Sequence, residues 1–357
     1  MSRIEQYSVV DLFCGVGGLT RGFLDKGFKV TAGVDIDEDC RYAYEKNNKA
    51  SFIGKSVADL SSNYLISLFG KNSRKILIGC APCQPFSIFN QKSNGSVSDM
   101  NSERWKLLYS FADLIQEIKP EIVSMENVPL LKTFKNGKVL NDFIQSLKSF
   151  GYHVSAEVYD SQFYGVPQRR KRLVLLASLN GPIEMIPYTH VKKTNSVKKA
   201  IGKLPKIESG EVHKKDVLHR ARKLSDLSLK RIRATPEGGG WKDWEEELIA
   251  DCHKKEGGKA YGSAYGRMSW NDVAPTMTTY CIGYNNGRFG HPEQDRAISL
   301  REAAILQSFP KKYDFVDPKR VFSSGRIAKQ IGNAVPVKLG QAIAVSVQKH
   351  IEQYSNE

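Results

Sequence analysis

The chain of 357 residues is 41% apolar and 25% charged, the balance of an ordinary globular protein, and its length suits about two domains whose cores need neither disulfides nor metal. Lys and Arg outnumber Asp and Glu by 53 to 38, and the net charge of +15 favours a polyanionic partner, because each phosphate neutralised releases condensed counterions. No apolar run nears the roughly 18 residues that span a bilayer, the opening Met1–Tyr7 has no signal core, and six scattered cysteines suit a reducing cytoplasm, which sets aside membrane, secreted, fibrous and disordered classes.

From Tyr7 to about Ser178, short β-branched runs alternate with helical stretches. Ser8–Phe13 reads as a strand, followed by a glycine turn and a helix through about Lys26. Val30–Val34 is the next strand, then a helix over Glu38–Asn47. Further strands are expected at Ile76–Ile78, Ile122–Met125 and Leu173–Ala177, with helices near Trp105–Ile118 and Leu140–Phe150. This alternation predicts an α/β fold with a mostly parallel sheet covered on both faces. Its ligand site belongs beyond the carboxyl ends of the strands. After about Gly181 the character changes. Residues 186–295 are rich in Lys, Arg, Gly and aromatics with weak periodicity, and a separate loop-rich domain is expected there. Periodicity returns at Ser299–Phe309 and in an amphipathic helix over Val337–Glu352.

The turn Asp11-Leu12-Phe13-Cys14-Gly15-Val16-Gly17-Gly18 sits between strand and helix, where glycines permit a sharp bend and close approach of a ligand. Asp35 ends the next strand, placed to accept both hydroxyls of a ribose. No glycine stands at position 20, so this is not the dinucleotide fingerprint; a nucleoside is favoured over a pyrophosphate.

Ile76–Ser87 places Cys83 just past a buried strand, between Pro82 and Pro85, which stiffen the backbone around its thiol. Cys80-Ala81-Pro82-Cys83 has the outline of a redox dithiol. Half a zinc site is disfavoured, since no second Cys or His pair completes it. A lone nucleophile at Cys83, with Cys80 a passenger, competes equally with the dithiol on pattern alone. Glu126 ends the apolar run Ile122–Met125, where a carboxylate is expensive unless paired; a salt bridge holding the sheet edge is the plain alternative. Gln168-Arg169-Arg170-Lys171-Arg172 enters the strand Leu173–Ala177, and alternation puts Arg170 and Arg172 on one side.

Six segments in order resemble the DNA (cytosine-5) methyltransferase family: Asp11–Thr20, Cys80–Ser87, Glu126-Asn127-Val128, Gln168–Arg172, Arg296–Pro310 and Gln330–Pro336. A thioredoxin-like dithiol would explain one of the six. The resemblance implies a Rossmann-like class I S-adenosylmethionine-dependent methyltransferase domain over residues 1–185, completed by 326–357. A smaller, loop-rich target-recognition domain would occupy 186–325. It implies that Phe13, Gly15, Val16, Gly18, Asp35, Ile36, Asp59, Pro82, Leu107, Asn333 and Val335 surround S-adenosylmethionine, released as S-adenosylhomocysteine, with no metal. Cys83 would attack C6 of cytosine, Glu126 would contact N3 and the exocyclic amine, and Arg172 would hold O2 with Arg170 nearby. Gln84 and Ser87 would touch DNA, while Asn127 and Gln168 brace the pocket. Addition at C6 makes C5 enamine-like, which splits one difficult methylation into easier steps. The ring must first leave the duplex. Cys80 stands where the family commonly has a small residue such as glycine, and Ile298-Ser299 replaces the more usual Leu-Thr; neither departure threatens activity.

The expected partner is duplex DNA, with Pro275–Thr279 and Asn285–Arg288 as candidate contact loops and Thr276 and Arg288 as candidate DNA-binding residues. A monomeric, cytoplasmic, nucleoid-associated bacterial enzyme is expected, in a restriction–modification system with a separate cognate endonuclease or as an orphan. A tRNA cytosine methyltransferase and a non-catalytic DNA-binding homologue are the alternatives. The long basic domain weighs against the first, and the presence of Cys83, Glu126 and Arg172 against the second.

Overall fold

The computed structural model describes residues 3–82, 104–255, 258 and 261–354. The chain forms two compact units: Met1–Ser161 with Lys171–Tyr188 and Val335–Glu357, and Gln162–Arg170 with Thr189–Ala334.

In the first unit the strands are β1 (Tyr7–Leu12), β2 (Lys29–Asp35), β3 (Ser51–Gly54), β4 (Arg74–Gly79), β5 (Ile122–Asn127), β6 (His153–Asp160) and β7 (Lys171–Ser178). They form one sheet in the order β3-β2-β1-β4-β5-β7-β6. The first five run parallel, whereas β7 enters antiparallel to both β5 and β6. This is a mostly parallel sheet, as the strand–helix alternation predicts, made mixed by β7, and it matches the Rossmann-like α/β fold that the resemblance implies. The central strands β1 and β5 are buried along their whole length and β4 at its last four residues, which is why they read as near-continuous apolar runs. Edge strands β3 and β6 are half-exposed and carry too few apolar residues to stand out in the sequence.

The helices of this unit are α1 (Gly18–Leu24), α2 (Arg41–Asn48), α3 (Ser62–Leu68), α4 (Leu107–Ile118), α5 (Lys138–Ser149) and the closing helix Val337–Tyr354. In α4, Leu108, Phe111, Ala112, Leu114, Ile115 and Ile118 form the buried stripe at helical spacing. Each of the leucines, isoleucines and Phe111 in it contributes about 1.5–3 kcal/mol on burial. The helix stops at Lys119 because Pro120 disfavours helical geometry in the residue before it. Helix α1 crosses the closing helix at Gly22 and Gly340, where a Cβ on Gly22 would lie 2.5 Å from the Gly340 carbonyl carbon.

The second unit holds α6 (Val197–Ile201), α7 (Asp226–Arg233), α8 (Asp251–Lys254), α9 (Leu300–Leu306) and α10 (Ser324–Asn333), joined by long connections. Leu224, Ile232, Trp241, Trp244, Tyr284 and Ala297 make an aromatic core, with Trp241 stacked on His253 at 4.5 Å. Buried charge organises the rest. Arg296 is fully buried and grips Glu302 with two bonds of 2.8 Å. Glu302 also accepts the Ser299 N–H at 2.7 Å, completing a capping box that starts α9. Burial would raise the Glu302 pKa, but Arg296 overrides it and holds the carboxyl at about 2. Among the described residues no helix is long and apolar enough to cross a membrane.

Candidate active site

The parallel order reverses direction between β1 and β4, and residues beyond their carboxyl ends line the crevice where such sheets bind ligands. Phe13 follows β1 with a positive φ of 58°, its ring edge-on to Phe111. Gly15, also at positive φ, donates its N–H to Asp35 Oδ2 at 2.8 Å, while Asp37 N–H reaches Asp35 Oδ1 at 2.8 Å. These bonds fix the carboxylate at the end of β2. Burial raises the Asp35 pKa above the ordinary carboxylate value, and the two N–H donors oppose it. A Cβ on Gly15 would meet nothing within 4 Å, so the turn faces open space. Ile36, next in the chain, is 74% exposed, an apolar side chain left uncovered beside a carboxylate. Val16 and Gly18 are buried beneath the turn, and Asp59 lies exposed after β3 in a short helix packed on α4. Leu107 begins α4, Pro82 follows β4, and Val335 is buried in the same unit. Asn333 ends α10 of the second unit.

Under the turn, Asp11 is fully buried and accepts the Thr20 hydroxyl at 2.6 Å, and Oδ1 has no hydrogen-bond partner among the described residues. Burial pushes its pKa up to about 7, against the pull of Thr20. Nothing in the sequence announced this pair.

Glu126 lies at the end of β5, only 2% exposed. Arg172 Nε stands 2.9 Å from Oε1, across the β5–β7 ladder, but at an angle that makes no hydrogen bond to that oxygen. The Cys80 thiol donates to Oε2 at 2.8 Å. Asn127 donates to the Ala81 carbonyl at 3.2 Å, tying the start of the loop after β4 to β5. A carboxylate, a guanidinium and a thiol thus converge at the carboxyl edge of β5. Cys83, Gln84 and Ser87 lie outside the described residues.

The second unit engages its basic residues differently. Arg170 is buried and donates to the carbonyls of Met277 at 2.9 Å, Gly332 at 3.0 Å and Ala334 at 3.3 Å. Gln168 accepts the Met277 N–H and donates to Gln307, bracing the same segment. Thr276 is exposed, with its hydroxyl on the Arg169 carbonyl at 2.7 Å. Arg288 donates to the carbonyls of Gly238, Gly239 and Arg267, so it clasps the glycine turn. The Arg296–Glu302 pair went unassigned in the sequence, although Ser299-x-x-Glu302 before an apolar run is a capping-box signal.

The model of the family described as C-5 cytosine-specific DNA methylase matches residues 7–349. The chain belongs to this family. It is a DNA cytosine-5 methyltransferase. Among its relatives, the Type II methylase M.HgiDII of Herpetosiphon aurantiacus is 52% identical over 346 residues, covering 97% of this chain and 96% of that protein. The Type II methyltransferase M.PspPI of Psychrobacter sp. (strain TA137) is 32% identical over 96% of this chain and 79% of its own. A crystal structure of a putative DNA modification methyltransferase encoded within an E. coli prophage aligns with TM-score 0.73 at 22% identity, over 98% of this methyltransferase and all of that chain, which shows the shared fold.

Proposed function

We propose that the methyltransferase moves a methyl group from S-adenosylmethionine to C5 of a cytosine flipped out of a short, specific duplex sequence. The reaction runs through a covalent bond between the Cys83 thiolate and C6. The observation that carries this reading is Glu126: a buried carboxyl at the sheet's carboxyl edge, flanked by Arg172, with Oε1 accepting no hydrogen bond among the described residues. A group so placed has the chemistry to meet N3 and the exocyclic amine of a cytosine ring, and Arg172 to meet O2.

The residues around the glycine turn fit the cofactor. Asp35 offers two oriented carboxylate oxygens for ribose hydroxyls, Ile36 an exposed apolar surface for a base, and Gly15 open space for close approach. Phe13, Val16, Gly18, Asp59, Pro82, Leu107, Asn333 and Val335 complete that set by resemblance. When bound, S-adenosylmethionine supplies an electrophilic methyl. Cys83 adds to C6 and makes C5 nucleophilic, and a hydrogen bond from protonated Glu126 to N3 stabilises the charge that addition puts on the ring. After transfer, loss of the C5 proton expels Cys83. Extrusion of the base costs a few kcal/mol of stacking and pairing. Arg170 acts as a brace within the second unit, through the carbonyls of Met277, Gly332 and Ala334. The second unit, with its lysines and its loops at Thr276 and Arg288, reads the duplex; Gln84 and Ser87 add contacts there. The Type II names of the relatives support a modification enzyme of a restriction–modification system; on this reading it works as a cytoplasmic monomer beside a separate endonuclease.

The test is covalent capture. Duplex DNA bearing 5-fluorocytosine at the target, found by bisulfite sequencing of methylated plasmid, is expected to trap the wild-type protein and not Cys83→Ser. Methylation of tRNA with none of duplex DNA, or trapping that survives Cys83→Ser, overturns the proposal.

A further inference from the structure

Cys80 has no assigned part in the reaction, yet its thiol is in contact with the carboxyl on which the reading above depends. Parallel pairing sets Gly79 beside Met125, so the next residues, Cys80 and Glu126, leave adjacent strands side by side. Cys80 is pinned there by its own N–H on the Leu12 carbonyl at 3.2 Å, and Ala81 by Asn127. The thiol reaches Oε2 at 2.8 Å and Arg172 stands 2.9 Å from Oε1, so that among the described residues each carboxyl oxygen has its own neighbour.

The last torsion of a glutamate is soft, with broad, nearly two-fold preferences. An ion pair to one oxygen, without hydrogen-bond directionality, leaves that torsion free to swing. A directional donor on the other oxygen stops it. We propose that Cys80 is a positioning residue for methyl transfer: its thiol sets the plane of the Glu126 carboxyl, so that Oε1 is the oxygen that meets the base. The inference rests on the assignment of Glu126 to the cytosine ring.

The test compares Cys80→Ala and Cys80→Ser with the wild-type enzyme, using S-adenosylmethionine tritiated in its methyl group and unmethylated phage DNA. Loss of the donor is expected to lower kcat about tenfold, as for a lost hydrogen bond to a carboxyl, with KM for both substrates within about twofold. Serine, which restores a donor, brings kcat back to within about threefold of wild type. Cys80→Val, nearly isosteric and without a donor, replaces the alanine variant if thermal unfolding shows that alanine loosens the fold. An unchanged kcat in the donor-less variant, or serine as slow as alanine, overturns the inference. Either result beside an active, Cys83-trapped wild type leaves the assignment of Glu126 standing; a wild type that neither methylates nor is trapped removes that assignment instead.

Discussion

Arg296→Met is expected to destabilise the second unit severely. The guanidinium is fully buried and donates to both Glu302 oxygens at 2.8 Å, to the Ile207 carbonyl at 3.0 Å and to the Ala297 carbonyl at 3.1 Å. Methionine fills most of the volume but leaves Glu302 buried with the Ser299 N–H as its remaining donor at 2.7 Å. Removing one partner of such a pair costs about 3–5 kcal/mol. The titration of Glu302 gives a similar figure. Its carboxyl is held at about 2 against an ordinary 4.5, and at about 1.36 kcal/mol per unit the difference is roughly 3 kcal/mol. That contribution is fully present above pH 4.5 and is lost as pH falls toward 2. Three of the four tryptophans, Trp241, Trp244 and Trp270, lie in the second unit, so urea unfolding followed by tryptophan fluorescence reports on it. With a slope near 2 kcal/mol per molar, the midpoint is expected to drop by roughly 2 M at pH 7. The double variant Arg296→Met with Glu302→Leu should recover part of the loss by removing the stranded charge. A midpoint within about 0.3 M of wild type for the single variant would refute the reasoning, because no buried carboxylate could then depend on Arg296.

Asp11→Asn is expected to flatten the pH dependence of stability in the first unit. A pKa of about 7 in the fold against an ordinary 3.8 means the folded chain keeps a proton that the unfolded chain has lost. Wild-type stability from this group is therefore complete below pH 3.8 and falls as pH rises through 7, by roughly 2–4 kcal/mol in all. Urea midpoints at pH 5 and pH 8 for both proteins test it, and equal slopes in the two refute it. Gly332→Val drives a Cβ into the Thr278 backbone, a collision that no side-chain rotation relieves. It should cost the second unit about 1–3 kcal/mol and weaken DNA binding. Urea midpoints for the two proteins test it, and an unaltered unfolding midpoint would contradict the prediction.

Much of the first unit was legible because its signals are local. Buried parallel strands such as Ile122–Asn127 read as apolar runs, and their ends carry the residues of interest: the glycine turn, Asp35 and Glu126. The contact between Cys80 and Glu126 was not legible. It depends on the register between β4 and β5, two strands 46 residues apart at the point of contact, and no spacing along the chain encodes it. That the Arg288 guanidinium holds the Gly238 and Gly239 carbonyls was not legible either, because the partners lie about 50 residues away in the chain. The second unit gave little periodicity for a related reason. Its order comes from buried charge and from aromatics such as Trp241 and Tyr284, spread over long connections rather than repeated along helices.

The meeting of Gly22 with Gly340 has a consequence for biosynthesis. The partner that α1 meets lies more than three hundred residues downstream, so the ribosome delivers it long after α1. Until then α1 rests on the neighbouring β2 and α2, and closing so long a loop onto its other flank is entropically costly and slow. A nascent chain that stops before residue 337 therefore lacks the surface against which Gly22 packs.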